Sequence, residues 1–151
     1  MNKHGRQVGQ TAATGFQIGV RRTLPISAEA AWAYLVSPEG LELWLGNVPN
    51  LSIREGEAFG SPEGISGELR VVKPESQLRL RWKKNGWEKP STLQIRLLPG
   101  KAGQTTISFH QENLDHPNTR ELMKMRWESV LNEIRHRTSS ANNHAEERIN
   151  P

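Results

Sequence analysis

The sequence predicts an α+β domain: a curved antiparallel sheet of about six strands wrapped around one long C-terminal helix, with two short helices after the first strand. Three observations predict it. Apolar residues alternate with polar ones from Phe16 to Leu24 and through most of the span from Val48 to Leu114, as they do in half-buried strands. The connectors inside that span are too short for parallel crossovers. The period then becomes helical, and an apolar stripe of Met123, Trp127, Val130, Leu131 and Ile134 follows.

Each element has a local cause. Phe16, Ile18, Val20 and Leu24, set against Gln17, Gly19 and Thr23, make the first strand. Ser27 can cap a helix, Glu29 falls in its positive first turn, and Trp32, Leu35 and Val36 share a face. A second cap, Ser37, stands before Pro38 at the first helical position, and Leu41, Trp44 and Leu45 lead to a stop at Gly46. Further strands are expected at Leu51–Ile53, Ile65–Lys73, Leu78–Trp82, Leu93–Leu97 and Ile107–Phe109. Turn chemistry separates them at Ser61–Gly64, Pro74–Ser76, Asn85-Gly86 and Pro99–Gly103. The intervening Gln77, Arg79, Arg81, Lys83, Thr92, Gln94 and Arg96 are polar, so one face of the sheet is wet. Asn118 with Glu121 resembles a capping box, and Arg135 and Arg137 suit the negative end of the last helix. About twenty helical residues span roughly 30 Å, enough to cover the dry face.

The chain has 151 residues, a length for one domain. Residues 16–137 should form it, with 1–15 and 138–151 as loose tails, because neither end shows a regular apolar period. No run of eighteen apolar residues exists and the first fifteen contain no apolar core, which argues against a membrane span or an export signal and for a cytoplasmic location. The sequence has no cysteine, so disulfides, thiolate catalysis and thiolate metal sites are excluded. A net charge of +4 comes from bases spread evenly along the chain, which makes nucleic acid an unfavoured partner. The five histidines, His4, His110, His116, His136 and His144, show no metal-binding spacing. Neither a phosphate-binding glycine loop, a nucleophile elbow nor a dinucleotide fingerprint occurs, so no cofactor and no metal is indicated. His110, Glu68 and Glu112 alternate with apolar residues and should face outward, where a carboxylate or imidazole has little reason to be tuned for catalysis. Binding is thus favoured over enzymatic activity, with no catalytic residue assigned.

Several phrases resemble a known family. They are Leu24-Pro25-Ile26-Ser27-Ala28-Glu29-Ala30-Ala31-Trp32 after the opening strand, Pro38 through Trp44, Gly67 through Pro74 with Leu78-x-Leu80-x-Trp82 behind it, and Trp127-x-x-x-Leu131 in the last helix. Their order and spacing over residues 16–137 are similar to the helix-grip fold of the START and birch-pollen-allergen (SRPBCC) superfamily. More narrowly they resemble bacterial domains like the activator of heat-shock-protein-90 ATPase homologue. The resemblance implies relatives that carry lipids, sterols or polyphenols, relatives that cyclise polyketides, and a co-chaperone.

A strongly twisted sheet cannot follow a straight helix along its whole length, so a hydrophobic pocket is expected between them. Its walls would be Leu80, Trp82, Ile95, Phe109, Met123 and Trp127, with Gln111 orienting the guest. Trp44 and Phe59 would stand at the mouth, beneath a hairpin made pliable by Gly56, Gly60, Gly64 and Gly67. The expected partner is a small hydrophobic molecule, lipid-like, polyketide or polycyclic. A packed core is the competing reading of the same residues. It would favour a co-chaperone-like module using the basic strip Arg79, Arg81, Lys83, Lys84 and Lys89, and a protein partner or homodimer stays open, as does a polyketide cyclase or dehydratase.

Overall fold

A computed structural model describes residues 10–11 and 15–149, with the side chains of 15–139. The chain forms strands β1 (Gln10–Thr11) and β2 (Gly15–Leu24), helices α1 (Ala28–Leu35) and α2 (Pro38–Trp44), and strands β3 (Ala58–Gly60), β4 (Ile65–Lys73), β5 (Gln77–Lys84), β6 (Ser91–Pro99) and β7 (Thr105–Leu114). Helix α3 (Pro117–Ile149) ends the order. The strands make one curved antiparallel sheet in the order β1-β2-β7-β6-β5-β4-β3. Since β7 returns to pair with β2, with Val20 opposite Phe109, the first and last long strands are neighbours. Helix α3 packs against the concave side across both, which is the α+β helix-grip arrangement expected from the sequence.

The local signals act as read. The Ser27 hydroxyl accepts the Ala30 N–H at 3.0 Å, and that of Ser37 accepts the Gly40 N–H at 3.1 Å, so each short helix starts on its cap. Burial alternates along β5, where Leu78, Leu80 and Trp82 are enclosed while Arg79 and Arg81 are exposed. On α1 the fully enclosed positions are Ala31 and Leu35, and Trp32 is only half-buried.

Four local expectations are corrected. Leu51 and Ile53 are not in a strand; they lie half-buried in the loop before β3, which instead forms around Phe59. The capping box at Asn118 does not form, because the helix begins one residue earlier at Pro117, and the His116 ring Nδ1 accepts the Asn118 N–H at 3.0 Å. Helix α3 does not end near Arg137 but continues to Ile149, since neither glycine nor proline interrupts residues 138–149. At the other end Gln10 and Thr11 pair with Phe16 and Gly15 rather than forming part of a tail, while residues 1–9, 12–14 and 150–151 lie outside the described residues.

Gly67 is explained by close approach. A Cβ there would collide with the Arg81 carbonyl oxygen and come within 2.9 Å of the Phe59 ring, so its bare backbone lets β3 and β5 close on β4.

Candidate functional site

The inward faces of β5, β6 and β7 meet α3 in an aromatic layer. Trp82 (β5) and Trp127 (α3) stand edge to face with centroids 5.4 Å apart, and Phe109 (β7) lies tilted against Trp127 at 5.1 Å. Trp87, in the loop between β5 and β6, is half-buried and meets Trp82 edge-on at 5.4 Å. This places it at the rim, where the layer approaches solvent.

A chain of hydrogen bonds runs through the layer. The Trp127 indole N–H donates to Gln111 Oε1 at 2.7 Å, Gln111 Nε2 donates to Ser91 Oγ at 2.8 Å, and Ser91 Oγ donates to the Trp82 carbonyl at 2.6 Å. The Trp82 indole N–H in turn donates to the Trp44 carbonyl at 2.9 Å, and that of Trp44 donates to the Leu35 carbonyl at 3.1 Å. Three indoles thus tie α3, β7, β6, β5, α2 and α1 together, and each indole N–H has an acceptor, as buried donors require.

Of the residues expected to meet a guest, Leu80, Trp82, Ile95, Phe109, Gln111, Met123 and Trp127 all point into this layer, and Trp44 joins it through its carbonyl. Phe59 lies in the same core on the edge strand β3, packed close to Gly67. Trp44, Leu80, Trp82, Phe109, Gln111 and Trp127 have 0% of their surface exposed, so each side chain is enclosed by its neighbours. The walls expected to line an open hollow are therefore in contact with one another, and Gln111, expected to orient a guest, is already engaged by Trp127 and Ser91. A cleft of about 830 Å³ lies elsewhere, between the α1–α2 junction and the second half of α3, lined by Ala30, Ala33, Tyr34, Pro38 and Arg137.

The fully buried polar groups are neutral. Among the described residues the buried polar side chains are Ser91, Thr105, Gln111 and Thr138, none of them a carboxylate or imidazole. His110 is half-buried and bonds Gln17 Oε1 at 3.0 Å on the other face. No group of three metal-ligating side chains converges among the described residues.

Three residues of this layer were missed by sequence reasoning: Trp87, which follows the Asn85-Gly86 turn where no strand period applies, Ser91 and Arg126. Ser91 alternates with Leu93 and Ile95, so its inward direction was legible, although its role as a link was not. Arg126 carries a charge that hides its position: it lies three residues after Met123 and four before Val130, on the flank of the apolar stripe. Its guanidinium sits over both Trp82 and Trp127, 5.2 and 5.7 Å from the ring centroids. Burial pushes this guanidinium below its usual pKa range. A second ionisable group is held at the far hairpin: the Glu63 carboxylate is pulled below the ordinary carboxylate range chiefly by the Asn47 N–H, which donates to it at 3.0 Å.

Sheet and gripped helix together define a helix-grip domain. The sequence matches the family of activator of Hsp90 ATPase homolog 1-like proteins over residues 25–138, and the chain belongs to that family. Its fold is similar to that of CalU16 from Micromonospora echinospora, with 20% identity, 77% of this chain and 71% of that one covered, and a TM-score of 0.67. It is also similar to the Aha1 dimer from Colwellia psychrerythraea (18% identity, 79% and 92% covered, TM-score 0.64) and to an Hsp90 activator from Plasmodium falciparum (17% identity, 65% and 73% covered, TM-score 0.57). At these identities the likeness is one of fold. No curated protein matches the sequence. No helix among the described residues is long and apolar enough to cross a membrane.

Proposed function

We propose that this domain binds a small hydrophobic molecule between the sheet and α3, as a cytoplasmic carrier or sensor. The observation that carries the reading is the graded aromatic path: Trp87 at the rim touches Trp82, Trp82 touches Trp127, and Trp127 touches Phe109. Displacing one half-buried loop side chain opens a way onto three rings. The guest enters by parting the layer, because its walls touch when it is empty, and the driving force is removal of apolar surface from water, on the order of 25 cal/mol per Å² before ordering costs. The test is a tryptophan-fluorescence titration of the wild type and of Trp87→Ala with dodecanol, dodecanoate, naphthamide and naphthoate. Saturable binding, faster in Trp87→Ala, is expected; no saturable binding by either protein overturns the reading.

The closed interior favours a second reading, a co-chaperone-like module acting through the wet face. There Arg70, Arg79 and Arg81 border a shallow depression of about 300 Å³ suited to an acidic partner surface. Stimulation of a purified Hsp90 ATPase that is lost in an Arg79→Glu/Arg81→Glu variant, and is indifferent to added apolar probes, supports this reading against the first.

A further inference from the structure

Arg126 is the group in the aromatic layer that the fold leaves incomplete. Its Nε is buried and has no hydrogen-bond partner, the one side-chain nitrogen or oxygen in that condition among the described residues. None of the four ion pairs among those residues includes it: the acids on its own helix that pair, Glu121 and Glu133, are taken by Arg120 and Arg137. The Trp82 and Trp127 rings attract the positive charge, but a ring does not satisfy an N–H that points along the guanidinium plane. A buried donor without an acceptor costs free energy, and the enclosed indoles of Trp44, Trp82 and Trp127 avoid that cost by passing their N–H to a neighbour.

We propose that Arg126 is the anion-recognition residue of the ligand site, so that the preferred guest is an apolar body bearing a carboxylate. This rests on the hydrophobic-ligand reading above and narrows it. The carboxylate supplies the acceptor that Nε lacks and matches the fork of guanidinium donors. The rings of Trp82, Trp87 and Trp127 take the apolar body beside it. Holding the arginine over the two indoles fixes its direction before the ligand arrives, which reduces the ordering cost of binding.

Matched probes test it: dodecanoate against dodecanol, and naphthoate against naphthamide, titrated at neutral pH below micelle-forming concentrations into wild type, Arg126→Met and Arg126→Lys. The expected result is a preference of about tenfold or more for each acid over its neutral counterpart in the wild type, from one charge-assisted hydrogen bond. In Arg126→Met the ratio of acid to neutral affinity falls to about one, with far-UV circular dichroism reporting that the variant is folded; Arg126→Lys retains part of the preference. Equal binding of acid and neutral probes by the wild type, or a preference that survives Arg126→Met, overturns the assignment of Arg126 and leaves the hydrophobic-ligand reading standing. Failure of all four probes to bind the wild type removes that reading and this one with it.

Discussion

The indole N–H groups of Trp44, Trp82 and Trp127 and the guanidinium of Arg126 occupy one layer, and the protein treats them oppositely. Each indole hydrogen is passed to a defined acceptor, from Trp127 through Gln111 and Ser91 to the Trp82 backbone, then on to the α2 and α1 carbonyls. The Arg126 Nε, held against two of the same indoles, is passed to nothing. The difference separates residues that build the layer from one that the fold alone does not explain. A structural polar group comes with its partner, and here a charged one comes without.

Substitutions can break or sharpen that contrast. Trp127→Ala deletes an enclosed ring touching Trp82 and Phe109 and should cost about 3–5 kcal/mol in chemical denaturation, because the surrounding side chains collapse only in part. Gln111→Leu keeps roughly the same bulk but strands the Trp127 N–H and removes the donor to the Ser91 oxygen, whose own hydrogen stays on the Trp82 carbonyl, and a loss of about 1–3 kcal/mol is expected. Arg126→Met should change stability by about 1 kcal/mol or less, since losing the contact with the indoles is offset by removing a desolvated charge. If Arg126→Met destabilises as much as Gln111→Leu, Arg126 belongs to the building residues and the contrast fails.

The smallest effect is at the surface. Glu63 has its pKa lowered in the fold, mainly by the Asn47 N–H, so its contribution is present above the ordinary value of 4.5 and is lost as pH falls through the folded value beneath it. The stability difference between wild type and Glu63→Gln, followed by denaturation from neutral to acidic pH, should therefore be small at neutrality and vanish at low pH. Its exposed position keeps it well below the Gln111 effect.

Much of the fold was legible because the relevant signals are local. The caps at Ser27 and Ser37, the alternation that sends Trp82 and Phe109 inward, and the stripe of Trp127 and Leu131 each depend on residues a few positions apart. Leu51 and Ile53 misled because two alternating apolar residues pack equally well from a loop. The end of α3 was misplaced because an apolar stripe marks where a helix is buried and not where it stops. For the site, sequence placed the aromatic residues on the inward faces but passed over Arg126, whose charge reads as solvent-facing until its guanidinium is seen lying over two rings.

The sequence by itself determined the kinds of elements, their order and which side of each strand and helix turns inward, since side-chain direction repeats every two residues or every 3.6 whatever lies opposite. Only the tertiary structure decided that Trp127 meets Gln111, that the aromatic side chains beneath α3 touch one another, and that Arg126 alone goes without an acceptor there among the described residues. Those outcomes depend on distances between side chains brought together from strands and helices far apart in the chain, and packing of that kind leaves no period to read.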